Sequence, residues 1–170
     1  SIRNTWKEAK ISWASAEAFS FGPIDALAIE TKINNWPLND FGLESFLNGK
    51  NTVSISEVNA MPSNQVGFHA IEYLLFDQEA LSKLAGNTAR LQLLQALSAS
   101  LDTNIKAILA EWQGSYKVTF IAADGKDLGS SMTLMANAFV ETVEVARTFK
   151  VSTPLGFRTE GIIQPDLVEA

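Results

Sequence analysis

Apolar positions recur every three or four residues over much of the chain, the spacing that lines one face of an α-helix. Ile2, Trp6, Ala9, Trp13 and Ala16 form the first stripe, with Ser1 placed to cap it and Phe19 and Phe21 extending it. Gly22-Pro23 interrupts this run, because proline lacks the amide proton that an inner helical turn needs. Pro23 suits the first turn of a second helix through Ile24, Leu27, Ala28 and Ile33, which Asn34-Asn35-Trp36-Pro37 stops. From Leu38 to Gln65 the period is lost among Gly42, Gly49, Pro62 and the asparagines at 39, 48, 51 and 59. This stretch reads as a long irregular connection carrying two short helices, Leu43 to Leu47 and Ser56 to Asn59, and connections of that length are often functional.

Helical spacing returns from Val66 to Phe76 and continues briefly at Leu81 to Leu84, up to Gly86-Asn87. Thr88 then caps a long helix with Leu91, Leu94, Leu97, Leu101, Ile105, Ile108 and Trp112 on its stripe, sustained to about Val118. Residues 123–127 make a turn, and Ser130 or Ser131 opens a last helix with Leu134, Ala138, Val145 and Phe149 on its face. Only Val53 to Ile55 has strand character. The pattern predicts an all-α helical bundle over residues 1–150, with the long irregular connection between the second helix and the Val66–Phe76 helix. Residues 151–170 carry Pro154, Gly156, Gly161 and Pro165 without a period. They read as a connecting segment toward a second half that is missing or separate.

Composition narrows the function classes. The 170 residues are 46% hydrophobic and 19% charged, enough for a real core and against wholesale disorder. The net charge is −6 and no basic stripe appears, so nucleic acid is not an expected partner. The absence of cysteine excludes disulfides, thiolate metal sites and cysteine nucleophiles. No apolar run approaches the roughly 20 residues of a membrane-spanning helix, so no transmembrane segment is expected. No basic-then-apolar leader opens the chain, which fits an exported protein whose leader has been removed.

The candidate chemistry centres on the chain's one histidine. His69 and Glu72 stand three apart on a predicted helix, so both side chains can meet one atom. An imidazole nitrogen with a carboxylate oxygen suits iron, zinc or manganese. Helical di-iron sites use the related Glu-x-x-His spacing. Gly67, at the start of this turn, lets another backbone or side chain approach closely. On spacing alone a buried histidine bonded to a neighbouring carboxylate fits as well or better. Further ligands would have to be carboxylates, carbonyls, water or another chain. Glu17, Asp25, Glu141 and Glu144 are the carboxylates considered, and Glu17 stands out because Ala14, Ala16 and Ala18 would let a helix approach it. Trp36, in a break before Pro37, is placed to line a pocket, whereas Trp6, Trp13 and Trp112 fall on core stripes. The zinc-protease motif, the serine nucleophile elbow and both glycine-rich phosphate loops are absent.

The run Gly67-Phe68-His69-Ala70-Ile71-Glu72 resembles the G-x-H-x-x-E signature of the imelysin-like proteins. The stretch from Trp6 and Ala9 through Glu17 to Asp25, with the Trp36-Pro37 pair, is similar to that family's upstream segment, and Pro154-Leu155-Gly156 to the connection between its two halves. The resemblance implies a fold of two helical bundles with the signature near their interface. It also implies bacterial export to the periplasm or cell envelope, a link to iron uptake and its transport components, and iron or another divalent metal as cofactor. It implies His69 and Glu72 as metal ligands with Glu17 as a third, and Gly67, Trp36 and Asp25 as supports of the pocket. Members carry a metallopeptidase label, but no complete catalytic constellation is evident, and catalytic residues remain unknown. A metal-bound water with Glu72 as ligand or base is the peptidase alternative, and a non-enzymatic interaction domain with a structural His–Glu pair is the other.

Overall fold

The computed structural model describes residues 1–123, 125, 128–152 and 155. Every regular element among them is helical, as the hydropathic pattern predicts. The long helices are α1 (Ile2–Ala16), α6 (Gly67–Phe76), α8 (Thr88–Gln113) and α10 (Ser131–Val145). Between them lie α2 (Pro23–Leu27), α3 (Glu30–Asn34), α4 (Asp40–Leu47), α5 (Ile55–Asn59), α7 (Ala80–Gly86) and α9 (Ser115–Ala122). Short 3-10 turns occupy Glu17–Phe19 and Ser63–Gln65, and a π turn covers Ala146–Ser152.

Several boundaries differ from the sequence reading, each for a local reason. The predicted second helix divides into α2 and α3 because Ala28 adopts a left-handed conformation, φ 51°. The connection before the motif helix is more ordered than its composition suggested. Asn39 accepts from the Gly42 amide to start α4. Ser54 and Glu57 form a reciprocal capping box that starts α5, so the strand-like Val53–Ile55 becomes a helix entry. Asn87, not Thr88, caps α8 by accepting from the Arg90 amide at 2.9 Å. Gly114, whose backbone is not helical, ends α8 short of Val118, and α9 starts at Ser115. The buried stripe of α8 runs through Arg90, Leu93, Leu94, Leu97 and Leu101, while Leu91 is exposed. The predicted landmark at Pro154-Leu155-Gly156 and the segment 156–170 lie outside the described residues, apart from Leu155, as does most of the 124–127 turn.

One core holds α1, α3, α4, α5, α6 and α8 together around Trp6, Ile33, Leu43, Val58, Phe68 and Leu97. A second, aromatic cluster fixes the end of α8. Phe21 stacks on Phe120 at 5.7 Å between centroids, and Trp112 meets Phe120 edge-on at 5.4 Å and Tyr116 at 4.9 Å. Gly22 makes this possible. Its φ is +66°, and a Cβ there would sit 2.2 Å from the Tyr116 ring. No helix among the described residues is long and apolar enough to cross a membrane.

Candidate metal centre

Helix α6 carries the site, and α1 holds α6 at both ends. Trp6 donates its indole N–H to the Phe68 carbonyl at 3.1 Å, a buried bond across 62 residues. Arg3 donates from Nε to the Leu75 carbonyl at 2.8 Å, where a cation also suits the negative end of the helix dipole. At its start α6 abuts the last turn of α3. Gly67 has φ +79°, and a Cβ there would fall 2.3 Å from the Ile33 carbonyl oxygen and 2.9 Å from that of Lys32. Glycine is therefore required twice over, by backbone conformation and by space.

This placement buries eight of the ten α6 residues, His69 and Glu72 among them, each about one-twentieth exposed. His69 Nδ1 lies 3.2 Å from Glu72 Oε2. With its ring proton on Nδ1, the histidine donates to the carboxylate, which fixes the ring's orientation. That arrangement matches the carboxylate partner that orients many metal-bound histidines. The same separation also suits two donors sharing one ion through bonds of roughly 2.0–2.2 Å. The donor chemistry therefore fits iron or another divalent metal in either role.

Trp36 borders the pair. Its ring centroid is 5.1 Å from that of His69 at a tilt of 59°, and it is 37% exposed, so one edge meets His69 while the other reaches solvent. The peptide bond from Trp36 to Pro37 is cis.

The predicted third ligand is placed differently. Glu17 accepts from Asn34 Nδ2 at 3.0 Å, and Asn34 Oδ1 accepts from the buried Lys10 at 2.6 Å. Lys10 in turn lies 5.6 Å from the centre of the Phe68 ring. Glu17 therefore joins a polar chain along the Phe68 side of α6. Among the described residues, no three histidine, aspartate or glutamate side chains gather as metal donors. Asp25 is exposed on α2, and its charge bears on Glu30 and Tyr116. Burial first, and then the charges of Glu141, Asp25 and Glu17, hold the Glu30 carboxyl above its ordinary range. Glu144 pairs with Arg147 on the surface.

Sequence reasoning missed a second polar group on α6. Tyr73 donates to Glu44 Oε1 at 2.8 Å, and buried Arg90 grips both Glu44 oxygens in a bidentate pair. Burial and this bond push the Tyr73 phenol up to about 12. The signal was available: Arg90 falls in phase with Leu93, Leu94, Leu97 and Leu101, so a charge occupies a core-facing position.

The comparisons agree with this architecture. The family model described as imelysin, a peptidase family, matches residues 1–169, and the chain belongs to that family. Iron-regulated protein A of Synechococcus elongatus is 24% identical over 163 residues, covering 90% of this chain and 42% of the relative. The chain thus spans less than half the length of that relative. No solved structure matches significantly.

Proposed function

We propose that this member of the imelysin family serves iron uptake, holding a metal ion, with iron the first choice, or an iron-bearing ligand through His69 and Glu72. One observation carries the reading: an imidazole and a carboxylate face each other at 3.2 Å on one buried helical turn. The matching relative's iron-regulated name supports the choice of metal. A metal held there supplies Lewis acidity, or redox activity if it is iron, to whatever ligand it carries. His69 supplies the nitrogen donor. Glu72 either shares the ion or keeps the ring proton on Nδ1 so that the opposite nitrogen is presented. Trp36 shields one side of the pair from water. Remaining coordination positions fall to water, to the donors of an iron-bearing ligand, or to groups beyond the described residues. The setting this reading requires is the periplasm or cell envelope, with iron-transport components as partners.

Calorimetry with ferrous iron under anaerobic conditions, then with zinc and copper, tests this. Heat is expected with the wild type and none with His69→Ala. Equal, negligible heats for both proteins would sink the proposal. Glu72→Gln separates the two roles of the carboxylate: an orienting partner costs about 10–100-fold in affinity, a direct ligand more. Bound metal is also expected to quench Trp36 emission, and the quenching should disappear in Trp36→Phe while the heat remains.

A further inference from the structure

Beside the Tyr73–Glu44–Arg90 group an open cleft of about 530 Å³ lies between α4 and the start of α8. Clefts of that volume suit small ligands. Glu44 lines it from α4, Asn48 from the cap of that helix, and Lys50 from the turn that follows. Asn87 and Arg90 line it from the cap and first turn of α8, and Phe41, 81% exposed, adds an aromatic edge.

The charges of this cleft are arranged in an uncommon way. The Arg90 side chain is 6% exposed, whereas Glu44, the carboxylate it grips, is 42% exposed. The cation is thus fixed in the wall, and its counter-ion stands on the solvent side. A guanidinium carries five N–H donors. Glu44 engages the two terminal nitrogens, and the buried Nε has no hydrogen-bond partner among the described residues. Lys50 is a second cation. Its Nζ donates to Glu57 and lies 4.6 Å from the centre of the Phe46 ring, which takes one of its three N–H donors in a hydrogen bond. Asn87 accepts from the Arg90 amide through its side-chain oxygen, so its NH2 group is left to donate, at the positive end of a 26-residue helix.

We propose that this cleft binds a small dicarboxylate, with one carboxylate on Arg90, the other on Lys50, and the Asn48 and Asn87 amides donating to their oxygens. Two cations call for two anionic groups, and the Arg90 fork already holds a planar carboxylate in Glu44. Glu44 keeps a negative charge in the wall, which a compact dianion such as phosphate would meet at close range. A dicarboxylate divides its charge between two ends. The proposal stands apart from metal binding, since none of these residues belongs to the His69 turn.

The test titrates the metal-stripped, nitrogen-15-labelled protein with succinate, propionate and inorganic phosphate, and follows the side-chain amide signals of Asn48 and Asn87 by NMR. Succinate is expected to shift both signals and to bind about tenfold tighter than propionate or phosphate, more weakly as salt is raised. Lys50→Gln should lower succinate affinity about tenfold, and Asn48→Asp, which adds a negative charge, about threefold or more. Arg90→Lys keeps the charge without the fork and should lower it about tenfold or more. Should that variant fail to fold, the two more exposed positions decide. No shift of these amides up to about 10 mM succinate, equal affinity for propionate or phosphate, or binding unchanged in both Lys50→Gln and Asn48→Asp overturns the proposal. Shifts gathered instead on the His69 turn assign succinate to the metal centre and overturn it as well.

Discussion

Helices α6 and α10 are both rich in apolar residues, and the structure treats them in opposite ways. Helix α6 is walled in by α1, α3, α4 and α8, and Trp6 and Arg3 donate to carbonyls in its first and last turns. Helix α10 lies along the body and leaves its largest side chains in water. The hydrophobicity of a segment thus does not decide its burial. Burial follows from whether the chain supplies matching surfaces, and for α6 it supplies them on every side. The residues proposed to bind metal occupy the fully supported helix, where their geometry is held by packing.

The sharpest way to break the comparison is Gly67→Ala. A methyl group against the Ile33 carbonyl, at a φ of +79°, should cost about 3–5 kcal/mol or abolish folding, read by thermal or urea denaturation. Next, Leu97→Ala in the α8 wall behind α6 should cost about 2–5 kcal/mol, whereas Phe139→Ala on α10 should stay within about 0.5 kcal/mol in the 170-residue chain. Equal losses would show that α10 is buried in solution after all. Trp6→Phe keeps much of the ring packing but removes the indole donor to the Phe68 carbonyl, and a loss of about 0.5–1.5 kcal/mol is expected. The smallest effect tests the region where the two helices' surroundings meet. Glu30 has a raised folded pKa, so its contribution to stability is present below the ordinary carboxyl pKa and is lost as pH rises through the folded value. Glu30→Gln should therefore raise Tm at pH 7 by about 1–3 °C and leave it unchanged at pH 4, followed by circular dichroism.

Much of this was legible in the residue pattern. The three-four spacing announced an all-helical fold, and the three-residue step from His69 to Glu72 put their side chains in contact. Trp36, beside a proline in a break, stands against the His69 ring and is partly exposed. What escaped has definite causes. Ala28 in a left-handed conformation leaves no mark in composition, so α2 and α3 read as one helix. Leu91 and Leu93 are the same residue type, so the stripe of α8 was read out of phase and Arg90 was overlooked. Glu17 looked available because its small neighbours suggested a close approach, but its partner Asn34 lies 17 residues away, a separation that periodicity does not carry. Gly67 was expected to admit another backbone, yet nothing in the sequence named α3 as the one that arrives.

The double hold of α1 on α6 has a consequence in time and in processing. The bonds from Arg3 and Trp6 span 72 and 62 residues, so the site closes only after a long segment has been synthesised and looped back. His69 and Glu72 can pair as soon as their turn coils, but the turn is anchored only when α1 packs against it. A cleavage within α1 just after Trp6 would touch neither of them and would still release both ends of their helix. The first two turns of α1 thus act as a latch on α6, and a change made there is felt by a helix some sixty residues away.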